Sequence, residues 1–169
     1  MSGTQNASTT VACGLTGEIV RTFGAVRLRV FGTSMVPSVL PGDVIHVQRA
    51  NLSEIAPGEI VMYLRDERLF VHRVVGRTGE PDGPRLITRG DRLTYNDPLV
   101  SSSELLGRVT SIQTYDGRWH REVRPAKRLT AWEQLFAKLL RTSDSATILY
   151  LRLARYVPSL LSRGSACRA

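Results

Sequence analysis

Lysine is almost absent from this chain. Of 23 basic residues in 169, only Lys127 and Lys138 are lysines, and the rest are arginines. Any chemistry that needs a lysine amine is therefore excluded from the first 126 residues. Arginine is no substitute as a base, because its pKa lies too high for it to give up its proton. Cysteine is equally scarce. Cys13 and Cys167 lie near opposite ends, and one such pair is no disulfide framework. His46, His72 and His120 stand alone, with no Cys/His cluster at metal-ligand spacing. No metal and no cofactor is expected. Long apolar runs are missing too. No stretch of 18 apolar residues occurs, so no transmembrane helix is expected. The start, MSGTQNASTTVACGL, lacks the basic and apolar regions of a signal peptide. A cytoplasmic protein is the expectation, with peripheral membrane contact as an option.

What is present is an ordinary globular composition, 42% hydrophobic and 22% charged, which excludes disorder as the default. The net charge of +8 is unevenly placed. Residues 1–118 hold 13 arginines against 12 acidic residues, while residues 119–169 hold 10 basic against 3 acidic. A basic surface, if it serves a partner, belongs to the C-terminal third.

Three regions follow from the hydrophobic pattern. Residues 1–25 read as a loose tail, 1–15, and a short helix over 16–25 with Ile19, Val20 and Phe23 on one side. Residues 26–124 read as a β domain. Val26, Leu28 and Val30 alternate with Arg27 and Arg29, and further short strands are predicted over 43–48, 59–64, 69–75, 85–88, 107–113 and 119–123. Pro41-Gly42, Pro57-Gly58, the polar break at 65–68 and EPDGP at 80–84 separate them. The fold class is mainly β, a coiled or barrel-like sheet. Residues 125–169 read as a basic helical appendage. Leu129, Trp132, Phe136, Leu139 and Leu140 form one apolar face, and Leu149, Leu153, Tyr156, Val157 and Leu160 another.

Four local signals then fall in order: GTSMVP at 32–37, PGDVIHV at 41–47, LFVHRVV at 69–75 and LITRGDRLTYND at 86–97. A serine after a glycine-bearing turn is a nucleophile only when a base can take its proton. His72 is of the right type, since a free imidazole can take up a proton near neutral pH. An acidic group should hold its tautomer, and Asp91 and Asp97 are the candidates.

The order and flanks of these signals resemble the signal peptidase I family. The likeness is to its archaeal and endoplasmic-reticulum branch, over about residues 26–112. That resemblance implies a serine endopeptidase with Ser34 as nucleophile and His72 as general base, cutting an extended precursor or leader peptide after small residues. It implies that the aspartate six residues beyond the Gly-Asp pair, Asp97, serves the histidine in preference to Asp91. Where some bacterial members carry an oxyanion-binding hydroxyl, this chain has Gly32, so the hole would rest on backbone N–H groups, chiefly that of Ser34. Gly32 and Met35 are the expected substrate-contacting residues. LexA-like self-cleaving repressors share the fold and the serine motif but use a lysine base, which the β domain lacks.

The chain departs from signal peptidases in having no membrane-spanning segment. Its expected partner is a peptide or preprotein substrate. The stretch 125–161 is expected to pack on the β domain, to touch a membrane or to dock a protein partner. Nucleic acid is not expected, since no helix-turn-helix precedes the β domain. Two alternatives are carried: self-cleavage, with Cys13-Gly14 the nearest analogue of the scissile bond, and an idle peptide- or partner-binding module.

Overall fold

The computed structural model describes residues 3–80, 83–115, 120–123 and 148–150. The chain opens with a helix, α1 (Gly3–Phe23), longer than the expected 16–25. Its first half carries Ser, Thr and Gln with no apolar period, so pattern alone read it as a tail. Gly24, at φ 79°, ends it by donating its N–H to the Val20 carbonyl at 3.0 Å. The buried side of the helix is the expected one in part. Val20 is fully buried, and Gly17 lets the helix approach Leu64 and Leu106, whereas Phe23 faces solvent.

Among the described residues seven strands follow: β1 (Ala25–Arg29), β2 (Val44–Arg49), β3 (Ile60–Arg65), β4 (Arg68–Glu80), β5 (Gly83–Arg89), β6 (Leu105–Gln113) and β7 (His120–Glu122). They form one antiparallel sheet in the order β1-β2-β6-β3-β4-β5. β6 is its hub. One edge of β6 pairs with β2, and the other is divided between β3, through residues 105–108, and β7, through 111–113. The mainly β class is as expected. The sheet is open, because β1 and β5, the ends of the order, do not pair with each other. The polar break at 65–68 is a two-residue hairpin, with Asp66 and Glu67 both at positive φ, 48° and 59°. That backbone suits the twist of the flanking strands.

Two apolar clusters lie on the sheet. Ile60 and Met62 of β3 join Val20, Met35, Ile45 and Leu106 in one. Val61 and Tyr63 of the same strand join Ile55, Val74, Leu86 and Val100 in the other. This explains the uninterrupted apolar run of β3, a strand buried on both faces instead of one. His46 sits on the internal strand β2, with its Nδ1 3.2 Å from the Thr110 hydroxyl. Among the described residues no helix is long and apolar enough to cross a membrane. Of the expected C-terminal helical region only residues 148–150 are described, and they are helical; the rest lies outside the described residues.

Candidate active site

Ser34 follows β1 in a turn closed by Val36 N–H to Thr33 carbonyl and Val39 N–H to Met35 carbonyl bonds, at 3.2 and 3.0 Å. Met35 and Val39 anchor this turn in the first cluster. Ser34 is thereby held beside β4, where His72 stands in register with Val61 of β3. His72 Nε2 lies 3.0 Å from Ser34 Oγ. His72 Nδ1 lies 2.6 Å from Asp97 Oδ2. The three residues are separated in sequence by 38 and 25 positions, and the hairpin and its following loop bring them together.

The histidine is buried, 5% exposed. The rings of Tyr63 and Phe70 stack at 5.2 Å and meet the imidazole edge-on at 6.3 and 6.1 Å. This wall fixes the ring plane. Burial pushes the Asp97 carboxyl upward, but hydrogen bonds from His72, Thr88 and Tyr63 outweigh it and hold the group below its ordinary value. Asp97 is therefore an anion at neutral pH. An ionised carboxylate only accepts, so the proton of the neutral ring sits on Nδ1 and Nε2 offers its lone pair to Ser34. Such a chain can move a proton from the serine hydroxyl to the imidazole.

Asp91 is placed elsewhere. Arg73 donates to it in a two-pronged pair, Nε to Oδ1 at 2.8 Å and Nη2 to Oδ2 at 2.7 Å. His72 and Arg73 leave the strand on opposite faces, so Asp91 braces the loop while Asp97 reaches the imidazole. The same guanidinium holds the Gly58 carbonyl and the Ser38 hydroxyl, at 2.8 and 3.0 Å. It thus ties three loops together at the rim of the site.

Gly32 is exposed, with open space where a side chain would stand. Met35, by contrast, is 2% exposed, and the structure places it in the core and not on an open surface. Three contributors were not foreseen. Thr88 of β5 donates its hydroxyl to Asp97 Oδ2 at 2.7 Å. Arg92 donates its backbone N–H to the Ser34 carbonyl at 2.9 Å. Gly90 packs so near that a Cβ there would stand 2.8 Å from the Ser34 carbonyl oxygen. The motif GDRLTYND carried the signal for the last two, but only as a turn. A cavity of about 420 Å³, lined by Arg21, Arg49, Asn51 and Ser102 among others, shares no residue with Ser34, His72 or Asp97. Among the described residues no group of acidic, His or Cys side chains could hold a metal ion.

No curated protein matches the chain. The Peptidase S24-like family model matches residues 5–110. That is more than half of the 169 residues, and it covers most of α1, all of β1 to β5 and most of β6. Ser34, His72 and Asp97 all fall inside the matched stretch, and on the strength of that match the chain belongs to the Peptidase S24-like family.

Proposed function

We propose that this protein is a serine endopeptidase of the signal-peptidase type, in which Ser34 attacks and His72 is the base. The observation that carries the reading is the contact chain Ser34 Oγ, His72 Nε2, His72 Nδ1, Asp97 Oδ2, at 3.0 and 2.6 Å. His72 takes the proton as Ser34 Oγ attacks a peptide carbonyl, and Asp97 stabilises the imidazolium that forms. The tetrahedral oxyanion meets backbone N–H groups at the turn, chiefly that of Ser34. His72 then protonates the leaving amine, and water releases the acyl group by the reverse path. The absence of lysine from the matched residues 5–110 supports histidine as the base.

The substrate in this reading is an extended precursor or leader peptide, laid along a strand edge and cut after small residues. The open surface at Gly32 supports close approach of a substrate backbone.

Self-cleavage is a second reading, favoured by the family match itself, since LexA-like members cut their own chain. The fold weighs against it for the nearest candidate bond. Cys13-Gly14 lies inside α1, where its backbone groups are engaged in the helix and not free to pair with a strand edge.

The deciding experiment offers peptides rich in small residues to the wild type, Ser34→Ala and His72→Ala, and reads cleavage by mass spectrometry. Cleavage by the wild type alone is the expected result, and the cut sites give the specificity. Cleavage retained by Ser34→Ala would overturn the assignment of the nucleophile. No cleavage by any of the three, with detergent or lipid present, would favour a binding module.

A further inference from the structure

Asp97 is gripped twice by one residue. Its backbone N–H donates to the Thr88 carbonyl at 2.8 Å, and its Oδ2 accepts the Thr88 hydroxyl at 2.7 Å. Thr88 is fully buried on β5, directly opposite Val74 of β4. It thus sits two residues along the β4 ladder from His72, on the same face. The oxygen that receives the Thr88 proton is the one that faces His72 Nδ1, at 2.6 Å. A carboxylate oxygen can accept both. The buried ring of Tyr63 meets the imidazole edge-on at 6.3 Å.

Without these donors the carboxylate could rotate about its Cβ–Cγ bond and present either oxygen, or neither, to the imidazole. With them it has one orientation. The clamp also closes the base of the segment 89–96, which donates the Arg92 N–H to the Ser34 carbonyl at 2.9 Å. One short segment therefore sets both ends of the Ser34–His72–Asp97 chain.

We propose that Thr88 is a positioning residue for the site: its hydroxyl orients Asp97 Oδ2 onto His72 Nδ1 and so keeps Nε2 unprotonated toward Ser34. The proposal rests on the reading of Ser34 and His72 as nucleophile and base. Tyr63 walls the imidazole with its ring, so Thr88 gives the cleaner test.

The test compares the wild type with Thr88→Val, which keeps the shape and loses the hydroxyl, and Thr88→Ser, which restores it. Two readouts are taken on the full chain. The first is the protonation of His72 by proton and nitrogen NMR, with Asp97→Asn as the reference for a lost bond. The second is the rate of Ser34 labelling by a fluorophosphonate, which needs no knowledge of the peptide substrate. The wild type should show a low-field Nδ1 proton, and Thr88→Val should lose it and spread the neutral ring over both tautomers. Its labelling should slow by about tenfold to a hundredfold, comparable to the loss when a ring-orienting partner is removed from a ligating histidine. Thr88→Ser should recover both. An unchanged Nδ1 proton in Thr88→Val would overturn the proposal, even if labelling fell, because the effect would then be one of packing. Failure of Thr88→Ser to restore the signal would overturn it as well. If Ser34 of the wild type does not label, the nucleophile reading fails, and the NMR comparison still decides the role of Thr88.

Discussion

Two aspartates in one motif carry different loads, and the difference can be measured. Asp97 touches the imidazole, whereas Asp91 is buried against Arg73. Asp97→Asn should lower the rate of Ser34 labelling by about a thousandfold or more, through loss of the tautomer, while changing stability little. Asp91→Asn should do the reverse. It leaves the Arg73 guanidinium without its anion in a mostly buried site, and removing one member of such a pair costs about 3 kcal/mol or more. Urea denaturation alongside labelling separates the two. Equal effects of the two variants on both readouts would contradict the division of roles. At the residue scale the chemistry therefore depends on which side of β4 each loop carboxylate meets.

At the scale of elements, the loops at the site are held by close backbone approach. Gly90→Ala would place a methyl 2.8 Å from the Ser34 carbonyl oxygen and 3.1 Å from Leu93. The Ser34 turn must then shift, so labelling should fall while the sheet persists, as judged by circular dichroism. Gly107, where β6 crosses between β2 and β3, is tighter still. A Cβ there would stand 2.2 Å from the Gln48 carbonyl oxygen. Because that atom is backbone in a paired strand, Gly107→Ala should cost about 3 kcal/mol or more, read by denaturant midpoint. The segment before β6 is held electrostatically. Arg65 donates to Glu104 at 2.5 Å and to the carbonyls of Pro98 and Leu99 at 3.0 and 2.8 Å. The Arg65 hydrogen bond, working against burial, holds the Glu104 carboxyl down to about 2 from an ordinary 4.5. A carboxyl depressed on folding contributes stability above its unfolded value and loses it as pH falls through the folded one. Glu104→Gln should thus destabilise by about 1 to 2 kcal/mol at neutral pH, with solvent screening allowed for. The gap to the wild type should close as pH is lowered from about 4.5 toward about 2.

For the molecule as a whole, the placement of α1 weighs against self-cleavage at Cys13-Gly14. Val20 is fully buried in the first cluster, and Gly17 packs on Leu64 and Leu106. Presenting Cys13-Gly14 as an extended strand would unwind the helix that carries these contacts. The intact mass of the protein should therefore stay unchanged on prolonged alkaline incubation, under conditions in which Ser34 labels. Loss of an N-terminal fragment would restore the self-cleaving reading.

Much of this arrangement was legible before any coordinates. Period-two alternation and Pro-Gly turns located the strands, because a half-buried strand must alternate and a chain reversal needs residues that tolerate it. The motif order singled out Ser34 and His72 with Asp91 and Asp97 as candidates, since a nucleophile, a base and an orienting acid would call for residue types with few substitutes. The length of α1 was not legible, because Gly3–Ala12 carry no apolar period and only tertiary packing of the later turns accounts for a helix there. The preference for Asp97 over Asp91 came from the family resemblance alone; residue type left both open, because the division depends on the face of β4 that each loop position meets. Thr88, Gly90 and Arg92 were hidden for a related reason. A hydroxyl, a missing Cβ and a backbone N–H act through distances of about 3 Å across strands far apart in the chain, and local sequence pattern records periodicity and residue type, not those distances.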